Sequence, residues 1–226
     1  MRVWGCWWLG PLALCGACYS MTVMQEPKPL PQGAVRGSLG LGVNTSAGVS
    51  AQLASRVGLG LRTEARLKLS FAGDGRALGG TEAGLNCQPY DAQRVGLFLM
   101  PHYRYYAIND DDVRDDYYGT TRRIHAFAIP MLAVFHLGWY ELFVGPDLHA
   151  GTREQQGFLG VGGHVGGSVA ASRFVHLTLE TGLIGTVAGI DASRDQYGDV
   201  SQSVLTVGDV QVEVGFSVSV GSPYRR

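Results

Sequence analysis

Apolar and polar residues alternate along most of the chain from residue 34 onward. In the clearest run, 57–71, the odd positions are apolar apart from Thr63, and the even positions are polar or glycine. The last run, 210–220, repeats the pattern with valines and one phenylalanine at its even positions. A side-chain period of two is typical of a β-strand with one apolar and one polar face, and no helical stripe competes with it. The chain is therefore predicted to be all-β.

The alternation predicts nine strands and a weaker tenth at 76–86. The nine are 35–43, 47–54, 57–71, 93–107, 123–136, 139–149, 158–171, 174–188 and 203–220. Tight links are predicted at 54–56, 137–138 and 171–173, with longer polar connections at 108–121 and 189–201. If all tight links lie at one rim, an even number of strands must lie between residues 71 and 123. This parity favours ten strands, and eight is the alternative.

The length of these strands indicates a barrel that crosses a membrane. Strands of a globular sandwich usually have about 5–6 residues, whereas several predicted here are more than twice as long. Tight turns at one rim and long loops at the other are the organisation of outer-membrane barrels. We predict an up-and-down antiparallel transmembrane β-barrel over residues 34–222, with both termini at the rim of tight turns.

Alternation does not say which face looks inward, because a soluble lipocalin-like barrel would enclose its apolar face. Glycine is abundant, at 33 of 226 residues, and it crowds the polar faces of the strands. Glycine gains nothing on a solvated exterior but relieves crowding in a narrow lumen. We therefore predict an apolar exterior, and aromatic residues near strand ends fit interfacial girdles. These aromatic residues are Tyr103, Tyr105, Tyr106, Tyr117, Tyr118, Trp139 and Tyr140.

With this orientation, a network of charged side chains is predicted to fill the lumen. Its members are Arg62, Glu64, Arg66, Lys68, Arg94, Arg104, Glu141, Asp147, Glu180 and Glu213. A barrel of eight to ten strands has room inside for side chains only, so ion pairs and hydrogen bonds should plug it. The alternative is a narrow gated pore whose basic selectivity comes from Arg62, Arg66 and Lys68.

The first 17 residues carry one positive charge, then an apolar stretch and small residues, which is the pattern of an export signal. Residues 14–18 resemble the lipobox of bacterial lipoproteins, with Cys15 where that family usually has Leu. The resemblance implies that Cys18 carries lipid; ordinary cleavage is the alternative. The proline-rich residues 18–33 then form a tether before the barrel, and residues 223–226 form a C-terminal tail.

The last strand resembles the sorting signal of bacterial outer-membrane proteins, in which a glycine precedes apolar residues at alternating positions. Gly215, Phe216, Val218 and Val220 carry the resemblance, with Val220 at the usual aromatic position. It implies recognition by the outer-membrane assembly machinery. The chain as a whole resembles small bacterial outer-membrane β-barrels of the opacity-protein and OmpX-like class. The resemblance implies localisation in the outer membrane, in contact with its lipid.

Charge and motif searches exclude several functions. The net charge is −1, so no basic field exists to attract nucleic acid. The glycine-rich segment 157–163 matches no nucleotide-binding pattern, and no Gly-x-Ser-x-Gly motif is present. Six scattered histidines and an acidic segment, 109–116, lack the spacing of zinc or calcium sites. We expect neither a cofactor nor a metal.

The sequence thus predicts a non-enzymatic barrel that acts as a structural or interaction component of the cell envelope. One form of that role is a docking platform for an envelope-spanning machine, with envelope proteins as partners. The first alternative is a narrow solute pore or transporter. The second is a lipid-modifying barrel enzyme, for which His125 near a rim is the only candidate residue.

Overall fold

A computed structural model describes residues 29–45, 48–72, 79–110, 120–153, 156–194, 200–204 and 210–222. The predicted signal peptide, Cys18, most of the tether, Tyr117, Tyr118 and the tail at 223–226 lie outside these ranges. The described strands are β1 (Val35–Asn44), β2 (Gly48–Gly60), β3 (Thr63–Ala72), β4 (Gly79–Asp91), β5 (Val95–Leu99), β6 (His102–Asp110), β7 (Thr120–His136), β8 (Tyr140–Arg153), β9 (Gln156–Ala170), β10 (Val175–Arg194), β11 (Val200–Val204) and β12 (Val210–Gly221). Within the same ranges, no helix is long and apolar enough to cross a membrane.

The strands form one closed antiparallel barrel. Strands β5 and β6 both pair with β4 and β7, so they are two halves of one wall strand, interrupted where Pro101 lacks a backbone donor. Strands β11 and β12 both pair with β10 and form another wall strand. The barrel closes where β12 pairs with β1, from Arg36↔Gly221 to Asn44↔Glu213. The wall therefore has ten strands, which confirms the predicted fold class and the parity argument.

The predicted strand 57–71 is in fact a hairpin, and the predicted link at 54–56 is wrong. Strand β2 continues through Arg56 to Gly60, and Leu61 and Arg62 form the turn before β3. Both turn residues have positive φ, at 49° and 59°, as a type I′ hairpin requires. A register shift between Gly58 and Gly60 adds one residue, so even positions face inward on both sides of the turn. The alternation therefore runs through the turn unbroken and conceals it.

The barrel has its apolar face outside, as predicted. Outward residues of β1, β2 and β12, such as Leu39, Leu53 and Phe216, are exposed, whereas the inward positions between them are buried and mostly polar. Inward glycines make room for large neighbours. A Cβ atom on Gly80 would overlap the ring of Tyr106, and one on Gly166 would overlap the ring of Phe143. The small residues of the polar face therefore relieve crowding in the lumen.

Part of the interior is apolar, which the alternation did not predict. A buried cluster on β5, β7 and β8 and in the 100–101 break fills the lumen on that side of the barrel. Its members are Phe98, Met100, Leu132, Val134 and Phe143. Tyr106, predicted for an exterior girdle, also points inward and is buried, whereas Trp139 is exposed at a turn.

The two rims of the barrel differ. The connections at 61–62, 92–94, 137–139 and 171–174, none longer than four residues, lie at one rim, which we call the turn rim. Strand β1 begins and β12 ends at the same rim, so both ends of the barrel wall lie there, as predicted. The other rim, the loop rim, carries the remaining connections between wall strands, which include the two longest, 73–78 and 111–119. In outer-membrane barrels the short turns face the periplasm and the longer loops face the outside.

Candidate functional site

Glu82 on β4 is the centre of a buried charge cluster inside the lumen. Lys68 Nζ lies 2.6 Å from Glu82 Oε1, and the Tyr106 hydroxyl donates to the same oxygen at 2.5 Å. The other carboxylate oxygen, Oε2, lies 3.6 Å from Arg66 Nη2 and from Arg104 Nε. None of these side chains is more than 5% exposed. One carboxylate therefore lies within 3.6 Å of three cations on strands β3 and β6, and we call this group the Glu82 cluster.

A second buried group surrounds Asp147 on β8. His164 places Nε2 2.9 Å from Asp147 Oδ2 and Nδ1 2.9 Å from Glu180 Oε1. Because both ring nitrogens face carboxylates, the imidazolium is the form that donates to both. His149 Nε2 lies 2.8 Å from the same Asp147 oxygen. We call Asp147, His149, His164 and Glu180 the Asp147 cluster.

Arg104 joins the two clusters into one chain of polar contacts. Its Nε donates to His102 Nε2 at 2.7 Å, and its Nη1 lies 3.2 Å from His149 Nδ1. Its Nη2 lies 3.8 Å from Asp147 Oδ2. The chain therefore runs across the lumen from Lys68 on β3 to Glu180 on β10. Buried charges are costly unless they are paired and hydrogen-bonded, so these residues depend on one another.

The mouth of the lumen at the turn rim is covered by residues 29–33. Leu30 is only 3% exposed, and its backbone N–H donates to Glu64 Oε2 at 3.0 Å. Glu64 Oε1 also lies 3.0 Å from Arg56 Nη1 and accepts from Asn86 Nδ2 at 3.0 Å. Gly33 N–H donates to the Gly58 carbonyl at 2.8 Å. The end of the predicted tether thus packs into the barrel instead of extending away from it.

Seven of the ten predicted lumen charges lie buried in the barrel. They are Glu64, Arg66, Lys68, Arg104, Asp147, Glu180 and Glu213. Glu213 accepts a hydrogen bond from Gln52 Nε2 at 2.8 Å. Glu141 faces inward near the turn rim, where its side chain is 20% exposed and lies 2.8 Å from His136 Nδ1. The charged part of the lumen thus includes most of the predicted residues.

Arg62 and Arg94 were wrongly assigned to the lumen. Arg62 lies in the turn between β2 and β3, where its side chain is 55% exposed and lies 4.0 Å from Asp91. Arg94 is exposed in the turn before β5. Since the polar pattern of a strand continues into its turns, alternation alone could not separate these two arginines from the lumen set. Arg62 therefore cannot line a pore through the lumen.

Sequence reasoning missed several central residues. Glu82 lies on the weakly predicted strand, although its shared parity with Gly80, Gly84 and Asn86 could have placed it in the lumen. Arg56 was assigned to a link. The histidines at 102, 149 and 164 had inward parity. The carboxylate partners of His102 and His164 lie on other strands, which only the fold brings together, whereas His149 meets Asp147 of its own strand.

The residues of the sorting-signal resemblance lie on the strand that closes the barrel. Gly215 faces inward, and Phe216 and Val220 are exposed on the outer wall beside β1. Val218 also faces outward. Their alternation thus belongs to the apolar exterior.

His125 lies on the outer wall, not in the lumen. Its Nδ1 is 2.5 Å from the Tyr103 hydroxyl, and its ring lies 5.1 Å from the ring of Tyr105. On the neighbouring strand β8, Thr152 is paired with His125. Among the described residues, no three His, Cys, Asp or Glu side chains are arranged so that they could hold a metal ion.

A closed antiparallel barrel with an apolar exterior and a charged interior defines a transmembrane β-barrel of the bacterial outer-membrane class. Such barrels belong to the outer membrane, which is the localisation that the sequence predicts. This assignment rests on the strand pairing and the burial pattern of the chain itself.

Similar architecture is found in several solved outer-membrane proteins. The N-terminal barrel domain of Pseudomonas aeruginosa OprF matches with a TM-score of 0.43 and 7% identity, covering 84% of this chain and 98% of that one. LpxR from Salmonella typhimurium matches with a TM-score of 0.41 and 7% identity, covering 82% of this chain and 99% of that one. The Escherichia coli outer membrane protease OmpT matches with a TM-score of 0.39 and 9% identity, covering 85% of this chain and 93% of that one. At these values, nothing about activity follows from the similarity. No protein-family model and no curated protein sequence matches the chain.

Proposed function

We propose that this protein is a non-enzymatic outer-membrane barrel with a closed lumen that acts as a structural or interaction component of the cell envelope. The observation that carries the proposal is the chain of buried polar contacts from Lys68 to Glu180 across the lumen. Residues 29–33 cover one mouth in addition. A barrel filled in this way acts through its surfaces, as a docking platform for envelope proteins would.

The resemblance to the opacity-protein and OmpX-like class supports the same role. The lipobox-like residues 14–18 support a lipid on Cys18, which would hold the N-terminal segment at the membrane surface near the turn rim. Labelling with a fatty-acid probe that is unchanged in Cys18→Ser would remove this part of the proposal. For a lipid-modifying enzyme, His125 would need an acidic partner, whereas its described hydrogen bond and ring contacts are to two tyrosines.

Conductance in planar bilayers separates a closed barrel from a narrow pore. We expect the folded wild-type protein to give no discrete single-channel steps, because passage of an ion would require the contacts of Glu82 and Asp147 to separate. Folding is checked by gel mobility, since folded membrane barrels run differently until they are boiled.

The matched variants for this test are Arg66→Gln, inside the lumen, and Arg62→Gln, in the turn. The proposal of a closed barrel is wrong if the wild type gives discrete conductance steps that favour anions. If this anion selectivity falls in Arg66→Gln but not in Arg62→Gln, the result supports the pore instead. Absence of steps in all three proteins is the result that the proposal predicts.

A further inference from the structure

We propose that the outer wall near the loop rim binds the phosphate group of an anionic lipid. The site consists of Tyr103 and Tyr105 on β6 and Arg123 and His125 on β7, and we call it the wall site. Tyr105 is paired with His125, and the next outward pair along the same two strands is Ala107 and Arg123. The four side chains therefore form one patch on the exterior.

The wall site lies at the upper edge of the apolar exterior. From Phe135 to Phe127, every outward residue of β7 is apolar, and His125 and Arg123 are the next two outward residues. On the neighbouring strand β8, the apolar run extends from Tyr140 to Ala150 and ends at Thr152, which is paired with His125. This run has the length of about 9–11 residues that a tilted strand needs to cross the hydrocarbon core. The site therefore lies at the depth of lipid head groups.

The contacts within the site orient His125 toward an anion. When the Tyr103 hydroxyl donates to Nδ1, at 2.5 Å, the proton of the neutral ring is on Nε2. The ring of Tyr105 packs 5.1 Å from the imidazole and limits its rotation. His125 thus presents an N–H donor on the outer wall, where an isolated polar group facing hydrocarbon would be unfavourable.

Arg123 supplies the charge that the site needs. It is exposed on the outer wall, two residues from His125 on the same face of β7. A guanidinium group donates two parallel hydrogen bonds to phosphate oxygens, and such charge-assisted bonds are stronger than neutral ones. Together, Arg123 and His125 can donate to different oxygens of one phosphate.

The surroundings favour a lipid over a free phosphate ion. Directly below the site, the exposed ring of Phe127 and the side chain of Leu148 continue the apolar wall toward the centre of the bilayer. A ligand with acyl chains would cover this surface while its phosphate is held at the wall site. Inorganic phosphate lacks that second contact, so it should bind more weakly.

Native mass spectrometry of the full chain in detergent tests the proposal with three probes: dihexanoyl phosphatidic acid, dihexanoyl phosphatidylcholine and inorganic phosphate. We expect the wild type to retain phosphatidic acid at least about tenfold more tightly than either other probe. Arg123→Gln and His125→Gln should each weaken its binding by about tenfold, and Tyr103→Phe by several-fold, because the hydroxyl that orients His125 is lost.

The matched control is Arg173→Gln, which removes an exposed arginine that lies over the Phe174 ring at the opposite rim, 4.6 Å from its centroid. It should bind phosphatidic acid within twofold of the wild type. Each variant must keep the heat-dependent gel mobility of the folded barrel. If Arg173→Gln and Arg123→Gln weaken the binding of phosphatidic acid equally, the binding comes from general charge attraction and the proposed wall site is wrong. Inorganic phosphate binding as tightly as phosphatidic acid, or unchanged binding in Arg123→Gln, would also overturn the proposal.

Discussion

At the scale of single residues, a few carboxylates hold the interior of the barrel together. Glu82 is the clearest case, because Lys68, Arg66 and Arg104 all lie within 3.6 Å of its two oxygens. Removing one partner from a buried ion pair leaves the others uncompensated, which costs far more than the loss of an exposed pair. The stability of the barrel should therefore depend strongly on the charge of this one side chain.

The variant Glu82→Gln tests this dependence. We expect it to lower the free energy of unfolding by about 3–5 kcal/mol, measured by urea titration of the barrel in phospholipid vesicles. The control is Asp91→Asn, which removes the partner of Arg62 at the turn rim, where the pair is partly exposed and separated by 4.0 Å. This change should cost less than about 1 kcal/mol. Similar losses in the two variants would contradict a central role for Glu82.

At the scale of elements, the hairpin between β2 and β3 is held in an unfavourable conformation. Leu61 and Arg62 both have positive φ, which glycine and asparagine adopt far more readily than leucine or arginine. Leu61 is fully exposed, so packing does not compensate for the conformation of its backbone. The register of the two strands, not the turn residues themselves, must hold the turn in place.

Replacing this turn by its preferred residues should stabilise the barrel. The double variant Leu61→Asn/Arg62→Gly is expected to raise the free energy of unfolding by about 1 kcal/mol in the same urea titration. The control is Gln93→Asn/Arg94→Gly in a turn where neither residue has a positive φ. This variant should not raise the free energy of unfolding. A gain of equal size at both turns would mean that the conformation at 61–62 is not the cause.

At the scale of the whole molecule, the barrel depends on the pairing of its first and last strands. The register of β1 and β12 places Leu39 opposite Val218, both facing outward. Directly opposed residues of antiparallel strands have Cα atoms about 4.5–5.5 Å apart, within the range that a disulfide bridges. Closure by this pairing removes both free edges of the sheet, which a strand in lipid could not leave unpaired.

A designed disulfide tests the closure. In a background with Cys18 and Cys87 changed to Ser, the pair Leu39→Cys/Val218→Cys should oxidise and keep the folded gel mobility at temperatures that unfold the wild type. Reduction should abolish that protection. The off-register pair Leu41→Cys/Val218→Cys should not bridge, because diagonal neighbours lie about 7–8 Å apart. Efficient bridging of the off-register pair would contradict the register of β1 and β12.

The alternation of side chains was enough to predict an all-β chain, because a period of two is a local property that each strand carries by itself. The parity of the turns was needed in addition to favour ten wall strands, and the glycines of the polar faces were needed to place the apolar face outside. The same property placed Arg66, Lys68 and Glu180 on the inward face. It failed at Leu61 and Arg62, since a turn with a bulge keeps the period intact. It failed again at Arg94, because a turn at the end of a strand continues the polar pattern.

The tertiary structure alone decided which inward residues are partners. Glu82 meets its three cations, and His164 lies between Asp147 and Glu180, because barrel closure brings residues of different strands to one height in the lumen. The packing of Leu30 against Glu64 and the meeting of Tyr103 with His125 have the same origin. Strand register and closure are set by interactions across the whole chain, so a pattern read along one strand predicts the face of a side chain but not its neighbours.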